Sequence, residues 1–514
     1  MSKDEKLSVT YVDEKVSHTT DSQTTDYDAQ RLQELGYKQE FNREISLFVQ
    51  AGFSFSTMAV LPNWLVGFGG AMASGGPMSL FWGFICVSPF IMCIALAMAE
   101  HDTLAYPVNG GVYSWCYLLS SPEWGPMMAW LCGYVFVAGL LSATMTLAYS
   151  MGEYVIAIAN VLNENQIDNQ GANVGLYILF LIVGVAYNYL GLKFSAYLNK
   201  FMVIWVTIGT IIVVICMPVM SPTHPSAKWV FTAFTNTAGY QNSGLTFLLG
   251  LLQAGWTLIG YECGAQIAEG TKRADVTGPR GIIISVLGAI FQGIILCIAT
   301  LFSIQDVEEL QTSTMPVATL FLRSTNQSLA AFFLVILMVT QFGSLCNSML
   351  ASAQMIWSMA RDECLPFAKF WYKLHGDRKI PLRILILQAV ICTIVIMPSF
   401  GSPVYWSAIM STAVIAVNIA YGMPYFCRLI WKRHDMVKGP FNLGKWSIPI
   451  SCVAVLWIIF FSIILCFPSV NPVAPETMNW SCLMLGATVL FAMAFWYAFG
   501  RKSYKGPLQT IDGE

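Results

Sequence analysis

The chain begins with a polar segment and continues as a succession of long apolar runs. Residues 1–44 contain Asp, Glu, Ser, Thr and Lys without an apolar run, which is typical of a disordered tail. Twelve apolar runs follow, at residues 45–72, 77–99, 124–150, 172–192, 196–219, 244–269, 281–304, 329–360, 384–399, 403–428, 447–467 and 480–499. About 20 apolar residues cross a bilayer as a helix. We therefore predict an all-α polytopic membrane protein with a disordered cytoplasmic tail over 1–44, a twelve-helix transmembrane domain over 45–499 and a cytoplasmic tail over 500–514.

Composition narrows the class of protein further. Of the 514 residues, 56% are hydrophobic and 11% are charged, and the formal net charge is −2. A soluble domain has about 25% charged residues. Most of this chain therefore cannot face water, which excludes a cytosolic enzyme, a nucleic-acid binder with a basic face and a disordered scaffold.

The positive charges predict how the chain is oriented. An even number of spans places both termini on one side of the membrane. When that side is taken as the cytoplasm, Lys228 and Arg323 are the only members of the 27 Lys and Arg residues that fall in the predicted outer loops. Cytoplasmic loops are enriched in Lys and Arg. We predict that both termini are cytoplasmic. The plasma membrane is the preferred location, and the vacuole or another endomembrane is the alternative, because the same fold serves both.

Two of the predicted spans combine helix breakers with polar residues. The first runs from Phe53 through Pro62 and Asn63 and continues with several glycines, and the sixth contains Gly255, Gly260 and Gly264 around a polar stretch. If spans 1–5 and 6–10 are repeats, the two breaks occupy equivalent positions. Broken helices in corresponding positions of two inverted repeats indicate a solute site between them. The alternative is that Gly and Pro are common in membrane helices in general.

Glu262 is the strongest single candidate, because a carboxylate within a membrane span is costly unless it is paired, hydrated or protonated. It is interpreted as a counter-ion for a solute ammonium or as a proton acceptor. A carboxylate that binds the freed backbone of the break is the alternative, and the two do not exclude each other. Aromatic faces attract ammonium groups, and the aromatic residues around the breaks are Phe53, Phe55, Trp64, Trp256 and Tyr261.

At these positions the chain resembles the fungal amino acid/choline transporter branch of the amino acid–polyamine–organocation superfamily. The resemblance covers about residues 35–500. The motifs that carry it include Gly-Phe-Ser-Phe-Ser at 52–56, Ser-Gly-Gly-Pro at 74–77, Gly-Gly-Val-Tyr-Ser-Trp at 110–115, Gly-Tyr-Glu at 260–262, Glu-Gly-Thr-Lys at 269–272, Gly-Pro-Arg-Gly at 278–281 and Gly-Pro-Phe-Asn-Leu-Gly at 439–444.

The resemblance implies a five-plus-five inverted-repeat fold of the leucine-transporter type, with two additional C-terminal helices. It also implies a solute pocket at the breaks of spans one and six, lined further by spans three, eight and ten. Members of this branch import amino acids, γ-aminobutyrate, choline, polyamines or vitamin-like amines, generally driven by protons. No cofactor is implied, and the driving ion would be H⁺.

The chain departs from the branch at several positions. Ala59 stands where Gly is usual, which disfavours a strict α-amino acid, and Glu262 stands where Asp is common. In span five, Val206 occupies the position that we align with a titratable Lys or His of relatives, so that route of coupling is absent. In span eight, Ala353-Gln354 replaces a Ser-Arg pair.

The predicted function is therefore secondary active import of a small nitrogenous solute across the lipid bilayer. The predicted solute-binding residues are Phe55, Ser56, Thr57, Met58 and Ala59 at the first break and Trp256, Thr257, Gly260, Tyr261 and Glu262 at the second, with Glu100 and Glu269 as gating or coupling candidates.

Several alternatives remain open on the sequence alone. A polyamine or thiamine-type permease of the same fold fits the same residues, and a non-transporting nutrient receptor is a second class. The polar tail would be the place where regulatory or trafficking factors bind. No enzyme, nucleic-acid partner or metal site is predicted, because no apolar run combines a nucleophile with a base and the five histidines are scattered.

Overall fold

A computed structural model describes residues 45–105, 110–163, 167, 169–267, 271–376, 378–400, 404–433, 436, 439–474 and 478–507. Over these residues the structure is helical. Its extended pairings are three isolated bridges, Ile45 with Thr271, Ser74 with Asn236 and His375 with Ile380. The prediction of an all-α protein is confirmed for this part of the chain.

The helices are α1 Leu47–Met58, α2 Val60–Val66, α3 Phe68–Ala73, α4 Gly76–Ala105, α5 Val112–Leu119, α6 Gly125–Leu162, α7 Gln170–Asn188, α8 Leu192–Met220, α9 Ala227–Thr232, α10 Ser243–Thr257, α11 Cys263–Gln266, α12 Ala274–Leu301, α13 Val307–Thr312, α14 Pro316–Ser324, α15 Gln327–Arg361, α16 Ala368–Trp371, α17 Leu382–Ile396, α18 Val404–Trp431, α19 Ser447–Leu465, α20 Ser481–Phe495 and α21 Arg501–Ser503.

Ten helical segments in the described part of the chain are long and apolar enough to cross a membrane. Seven are α4, α6, α7, α8, α12, α15 and α18, and the other three are α17, α19 and α20 together with adjoining helical turns, over Leu382–Phe400, Gly444–Leu465 and Ser481–Ser503. The two remaining predicted spans are the interrupted ones. The first is divided into α1, α2 and α3, and the sixth into α10 and α11. The total of twelve spans and the inverted repeat stay predictions.

The third span is longer than the sequence indicated. Its predicted end at residue 150 is wrong, because α6 continues as a helix to Leu162. The extension includes Glu153. A half-buried carboxylate is tolerated there because it lines a cavity inside the protein.

Helix α6 forms the centre of the bundle. It packs along α15 and α18, while α12 packs against α4 and α1, and α8 packs against α1, α12 and α15. Helices α6 and α18 are the most enclosed of the membrane helices, whereas α20 is exposed over most of its length. The broken segments are therefore surrounded by the continuous helices, which leaves their backbone away from lipid.

Helix α8 is apolar on both sides, because one side packs against neighbouring helices and the other is exposed on the surface of the bundle. One stripe is exposed and contains Ile204, Ile208, Ile211, Ile215 and Val219, at helical spacing along one face. The opposite stripe, which includes Met202 and Val206, is buried against the neighbouring helices. A helix that is apolar all round belongs in a membrane or a large core, so the exposed isoleucines mark a lipid-facing surface.

Loops gather at two ends of the bundle. We call the end where the described chain begins and ends the terminal face. There the backbone N–H of Lys272 donates to the Ile45 carbonyl at 2.9 Å. The other end, the opposite face, joins distant loops in the same way, since the Asn471 N–H donates to the Ala238 carbonyl at 2.7 Å.

Tyr504 anchors the C-terminal segment to the terminal face. Its ring lies 5.7 Å from that of Trp130, and only 3% of the residue is exposed. Its hydroxyl donates to the Tyr113 hydroxyl at 2.9 Å, and Tyr113 donates to the Asp362 carboxylate at 2.6 Å. Burial raises the pKa of both phenols, so both remain proton donors. This chain of bonds connects the C-terminal segment to α5 and to the end of α15.

The first break lies at Ala59, between α1 and α2. Its φ of 40° and ψ of 55° are left-handed, a conformation that costs an L-residue about 1–2 kcal/mol. The Ala59 N–H still donates to the Phe55 carbonyl at 3.2 Å, and its own carbonyl accepts from the Asn63 N–H at 3.0 Å. The backbone is therefore left-handed at this one residue, and the right-handed helix resumes at Val60.

The second break is wider and covers residues 258–262, between α10 and α11. Gly260 has a φ of 101°, which residues with a side chain rarely adopt. A Cβ at this position would lie 3.2 Å from the Thr57 side chain and 3.6 Å from the Met58 backbone nitrogen. The two breaks thus touch at Gly260, and a glycine is needed both for the conformation and for the close approach.

Replacement of Gly260 by Ala should destabilise the protein by about 1–3 kcal/mol, because the left-handed backbone becomes strained. The matched control is Gly486→Ala in α20, where a Cβ meets nothing within 4 Å and the helix should gain up to about 1 kcal/mol. Thermal unfolding of the purified variants measures the difference. Equal shifts for both substitutions would contradict the role of Gly260.

Truncation of Tyr504 to Ala should cost about 3–5 kcal/mol, since a buried ring is removed. Tyr504→Phe should cost about 1 kcal/mol, the net contribution of one hydrogen bond. Tyr497→Ala is the control, because Tyr497 is 62% exposed. The same unfolding experiment gives the order of the three variants, and a Tyr504→Ala protein as stable as Tyr497→Ala would show that the segment is not anchored.

Candidate functional site

Polar side chains of α1 satisfy the freed backbone of the second break. The Gln50 amide donates to the Gly264 carbonyl at 2.7 Å, and the Ser54 hydroxyl donates to the Tyr261 carbonyl at 2.9 Å. Unsatisfied backbone groups cost several kcal/mol in a bilayer. The broken sixth segment therefore depends on the first for its stability.

The carbonyls freed at the first break are satisfied by two other side chains. Asn63 donates its amide to the Met58 carbonyl at 2.8 Å. Ser344, from α15, donates to the Thr57 carbonyl at 2.6 Å. One partner is local and the other comes from a distant helix, so the break is fixed to the helix that faces it.

A buried network of uncharged groups joins α1, α8 and α15. Asn347 donates to the Ser56 hydroxyl at 2.8 Å and to the Asn199 side-chain oxygen at 2.7 Å, and Ser56 also contacts Asn199 directly. Asn199 and Asn347 were missed by the sequence analysis. The available signal was an Asn inside each of two otherwise apolar spans.

The two breaks border a small central cavity. Its volume is about 30 Å³, roughly the share of one water molecule in the liquid. Thr57 and Asn63 line it from the first break, and Trp256, Gly260 and Glu262 from the second. A solute larger than water would therefore fit here only if the surrounding helices moved apart.

Glu262 is 1% exposed and incompletely hydrogen-bonded. The Cys263 thiol donates to one carboxylate oxygen at 3.7 Å, and the other oxygen has no hydrogen-bond partner in the described part of the chain. The Tyr261 and Tyr421 hydroxyls are also buried without a partner there, and the two rings are 5.4 Å apart. Buried polar groups are normally satisfied, so this cluster is suited to a ligand or water that donates hydrogen bonds.

The structure separates the predicted solute-binding residues into groups. Thr57, Trp256, Gly260 and Glu262 line the cavity. The remaining ones lie around the cavity. Met58 and Ala59 form the first break, and Ser56 belongs to the buried network. Thr257 donates to the Gln253 carbonyl, Tyr261 packs on Tyr421, and the Phe55 ring packs against Gly288 of α12. Phe55 therefore does not reach the cavity in this structure.

Glu100 lies in a buried ion pair on the terminal face. Its carboxylate is 2.8 Å from the Arg428 guanidinium, and the side chains are 1% and 4% exposed. It also accepts from the Leu443 N–H at 3.2 Å and contacts Ser447. These bonds connect α4, α18 and α19. Glu269, the second gating candidate, lies outside the described residues.

Val206 is fully buried in α8 and apolar. The polar side chain that α8 presents to the first break is Asn199, two turns nearer the terminal face. The described residues contain no group of three His, Cys, Asp or Glu that could hold a metal ion.

Comparison with known proteins identifies the family of the chain. A family model described as amino acid permease matches residues 45–488. The amino-acid permease BAT1 of Arabidopsis thaliana is 28% identical, over 94% of this chain and 96% of its own length. An uncharacterised amino-acid permease of Schizosaccharomyces pombe is 30% identical, over 97% and 93%, and amino-acid permease 2 of Neurospora crassa is 26% identical, over 96% and 92%. The chain therefore belongs to the amino acid permease family.

Proposed function

We propose that this protein is a proton-driven importer of a small solute that carries an ammonium group, with an amino acid or a related amine as the substrate. The observation that carries the proposal is the buried Glu262 carboxylate at the contact between two broken helices, with one oxygen unpartnered in the described residues. Membership of the amino acid permease family supports transport of amino acids.

In this proposal the central cavity expands to hold the solute. Glu262 acts as the counter-ion of the ammonium group, and the Trp256 ring beside it offers an aromatic face. The hydroxyls of Tyr261 and Tyr421 accept hydrogen bonds that the solute donates. An ammonium has several N–H donors, so it satisfies acceptors that are otherwise unpartnered.

Two layers of contacts would close the site in alternation. On the opposite-face side of the cavity, Gln341 donates to Asn63 at 3.2 Å and to Ser150 at 2.8 Å. On the terminal face, the Glu100–Arg428 pair connects α4 to α18. Both layers are formed here, which supports a closed state. Rocking of the broken helices against α6 and α15 would open one layer at a time.

Coupling to protons is assigned to Glu262. Val206 cannot titrate, and the Asn199–Asn347 network contains no ionisable group. Glu262 is the carboxylate that lines the central cavity. Import can be driven by an inward proton gradient only if the proton crosses in the same direction as the solute. In the proposal that proton enters from the opposite-face side, is shared between the Glu262 carboxylate and the bound solute, and leaves with the solute at the terminal face.

The proposed orientation places the terminal face in the cytoplasm of a plasma-membrane protein with twelve spans. The predicted distribution of Lys and Arg supports this orientation. The N-terminal tail would then be accessible to cytoplasmic regulatory or trafficking factors.

Replacement of Glu262 by Gln tests the proposal, because it keeps the shape and removes the charge. Substrates are first identified by thermal-shift screening of amines and amino acids, since a tight ligand raises apparent stability. Uptake of the best ligand into proteoliposomes should fall at least about tenfold, since hydrogen bonds to charged groups contribute about 1.5–3 kcal/mol. The exposed Glu308 provides the control, Glu308→Gln, which should leave uptake unchanged.

Two results would overturn the proposal. Undiminished uptake by Glu262→Gln removes the role of the carboxylate. A wild-type protein that binds its ligand but shows no counterflow is a receptor rather than a transporter.

A further inference from the structure

Two cysteines meet where α19 ends and α20 begins. Cys466 directly follows α19, and Cys482 is the second residue of α20. The Cys482 thiol donates to the Cys466 carbonyl at 3.4 Å, and the two thiols are close enough to interact with each other as well. Both cysteines are reduced here, with Cys482 exposed and Cys466 partly exposed. The pair is therefore accessible as well as adjacent.

Asn479 holds the two chain segments together around this pair. Its side-chain amide donates to the Leu465 carbonyl at 2.7 Å and to the Phe467 carbonyl at 3.1 Å. Its side-chain oxygen accepts from the Ser481 N–H at 3.1 Å. These three partners are the immediate neighbours of the two cysteines in the chain. The backbone segments that carry the two thiols are therefore held side by side by the fold.

The two cysteines lie on the opposite face. The connection between them bonds to the loop that precedes α10, through the Tyr240 hydroxyl, which donates to the Pro468 carbonyl at 2.8 Å, and through the Asn471 N–H, which donates to the Ala238 carbonyl. In the proposed orientation this face is in the lumen of the secretory compartment during synthesis and outside the cell afterwards. Disulfides form and persist in these oxidising compartments.

A second group of cysteines has different surroundings. The Cys116 thiol lies beside those of Cys132 and Cys427, and all three residues are buried. They belong to α5, to the beginning of α6 and to the end of α18, near the terminal face. In the proposed orientation that face is cytoplasmic, where thiols are kept reduced. Proximity of the thiols is therefore similar in the two groups, while exposure and compartment differ.

We propose that Cys466 and Cys482 form a disulfide bond on the outer side of the membrane, which holds α20 to the end of α19. The proposal rests on the proposed orientation of the chain. It does not depend on transport or on the identity of the solute, so a wild type that transports nothing leaves it unchanged.

The oxidant is itself a disulfide, either that of oxidised glutathione or that of a dithiol oxidase in the secretory compartment. The more exposed Cys482 loses its proton, and its thiolate attacks one sulfur of the oxidant and releases the other as a thiolate. The Cys466 thiolate then attacks the Cys482 sulfur of the mixed disulfide and releases the second oxidant sulfur. The two protein thiols lose two electrons and two protons, and the oxidant takes them up as two thiols.

The bond would connect two helices that pack on different partners. Helix α19 packs on α18 and α4, whereas α20 packs on α6 and α18 and is exposed over most of its length. Lipid-facing apolar surface supplies no hydrophobic driving force between helices. A bond that closes the loop of 15 residues between the two cysteines also restricts the unfolded chain. The disulfide would therefore stabilise the position of α20.

Mass spectrometry of the full-length protein tests the bond. Free thiols are blocked with N-ethylmaleimide in intact cells and again during denaturation, and the protein is digested without reductant. The expected product is a linked pair of peptides that contain Cys466 and Cys482, two hydrogen masses below the sum of the reduced peptides. Cys116, Cys132 and Cys427 should carry maleimide. Maleimide on both Cys466 and Cys482, or a bond from either one to another cysteine, overturns the proposal.

Cys482→Ser removes one partner and should leave Cys466 as a maleimide-labelled thiol. The matched control is Cys452→Ser within α19, because Cys452 is also partly exposed. This control should leave the linked peptides unchanged. Loss of the linked peptides in the Cys452 variant would contradict the assigned pairing.

Thermal unfolding with and without reductant measures the effect of the bond on stability. Reductant should lower the unfolding temperature of the wild type by about 3 °C, since the loop is constrained only in the oxidised protein. It should leave that of Cys482→Ser unchanged. An equal response of the two proteins would place the reducible bond elsewhere, and a wild type that does not respond would contradict the stabilisation of α20.

Discussion

The need to satisfy broken backbone inside a membrane governs the arrangement of this protein. A bilayer provides no hydrogen-bond partners, so an interrupted helix is stable only where other protein groups replace water. Here each break is satisfied by side chains from elsewhere: Gln50 and Ser54 bind the sixth segment, and Ser344 binds the first. The breaks touch at Gly260. The central cavity therefore lies where the two broken segments contact and stabilise each other.

Charge is used sparingly and uncharged polar groups are used freely. The Ser56–Asn199–Asn347 network and the Gln341 layer join the broken helices to the surrounding ones through neutral hydrogen bonds. Such bonds contribute about 1 kcal/mol each, so no single one of them dominates the contact between these helices. Three of the carboxylates lie at different levels along the bundle: Glu153 and Glu262 line cavities, and Glu100 pairs with Arg428.

Sequence patterns predicted the helical class, most helix positions and the breaks, because these depend on local composition and on Gly and Pro. Glu262 was found because a charge in an apolar run is conspicuous. Glu153 was missed because the predicted third span ended at residue 150, although α6 continues to Leu162. The Asn199–Asn347 pairing could not be predicted, since nothing local specifies which polar side chains of separate helices meet. Phe55 was assigned to the site by its position, but the rotation of α1 turns its ring toward Gly288.

The bonds between the two breaks also have a consequence for synthesis. Gln50 and Gly264 are 214 residues apart, and Ser54 and Tyr261 are 207 apart. At a translation rate of about 5–20 residues per second, the first segment waits about 10–40 seconds for its partner. During that interval Gln50 and Ser54 have no part of the sixth segment to bind. The first segment therefore cannot reach its final hydrogen-bonded arrangement until half of the protein has been made. Until then its polar side chains need other hydrogen-bond partners, such as groups of the insertion machinery.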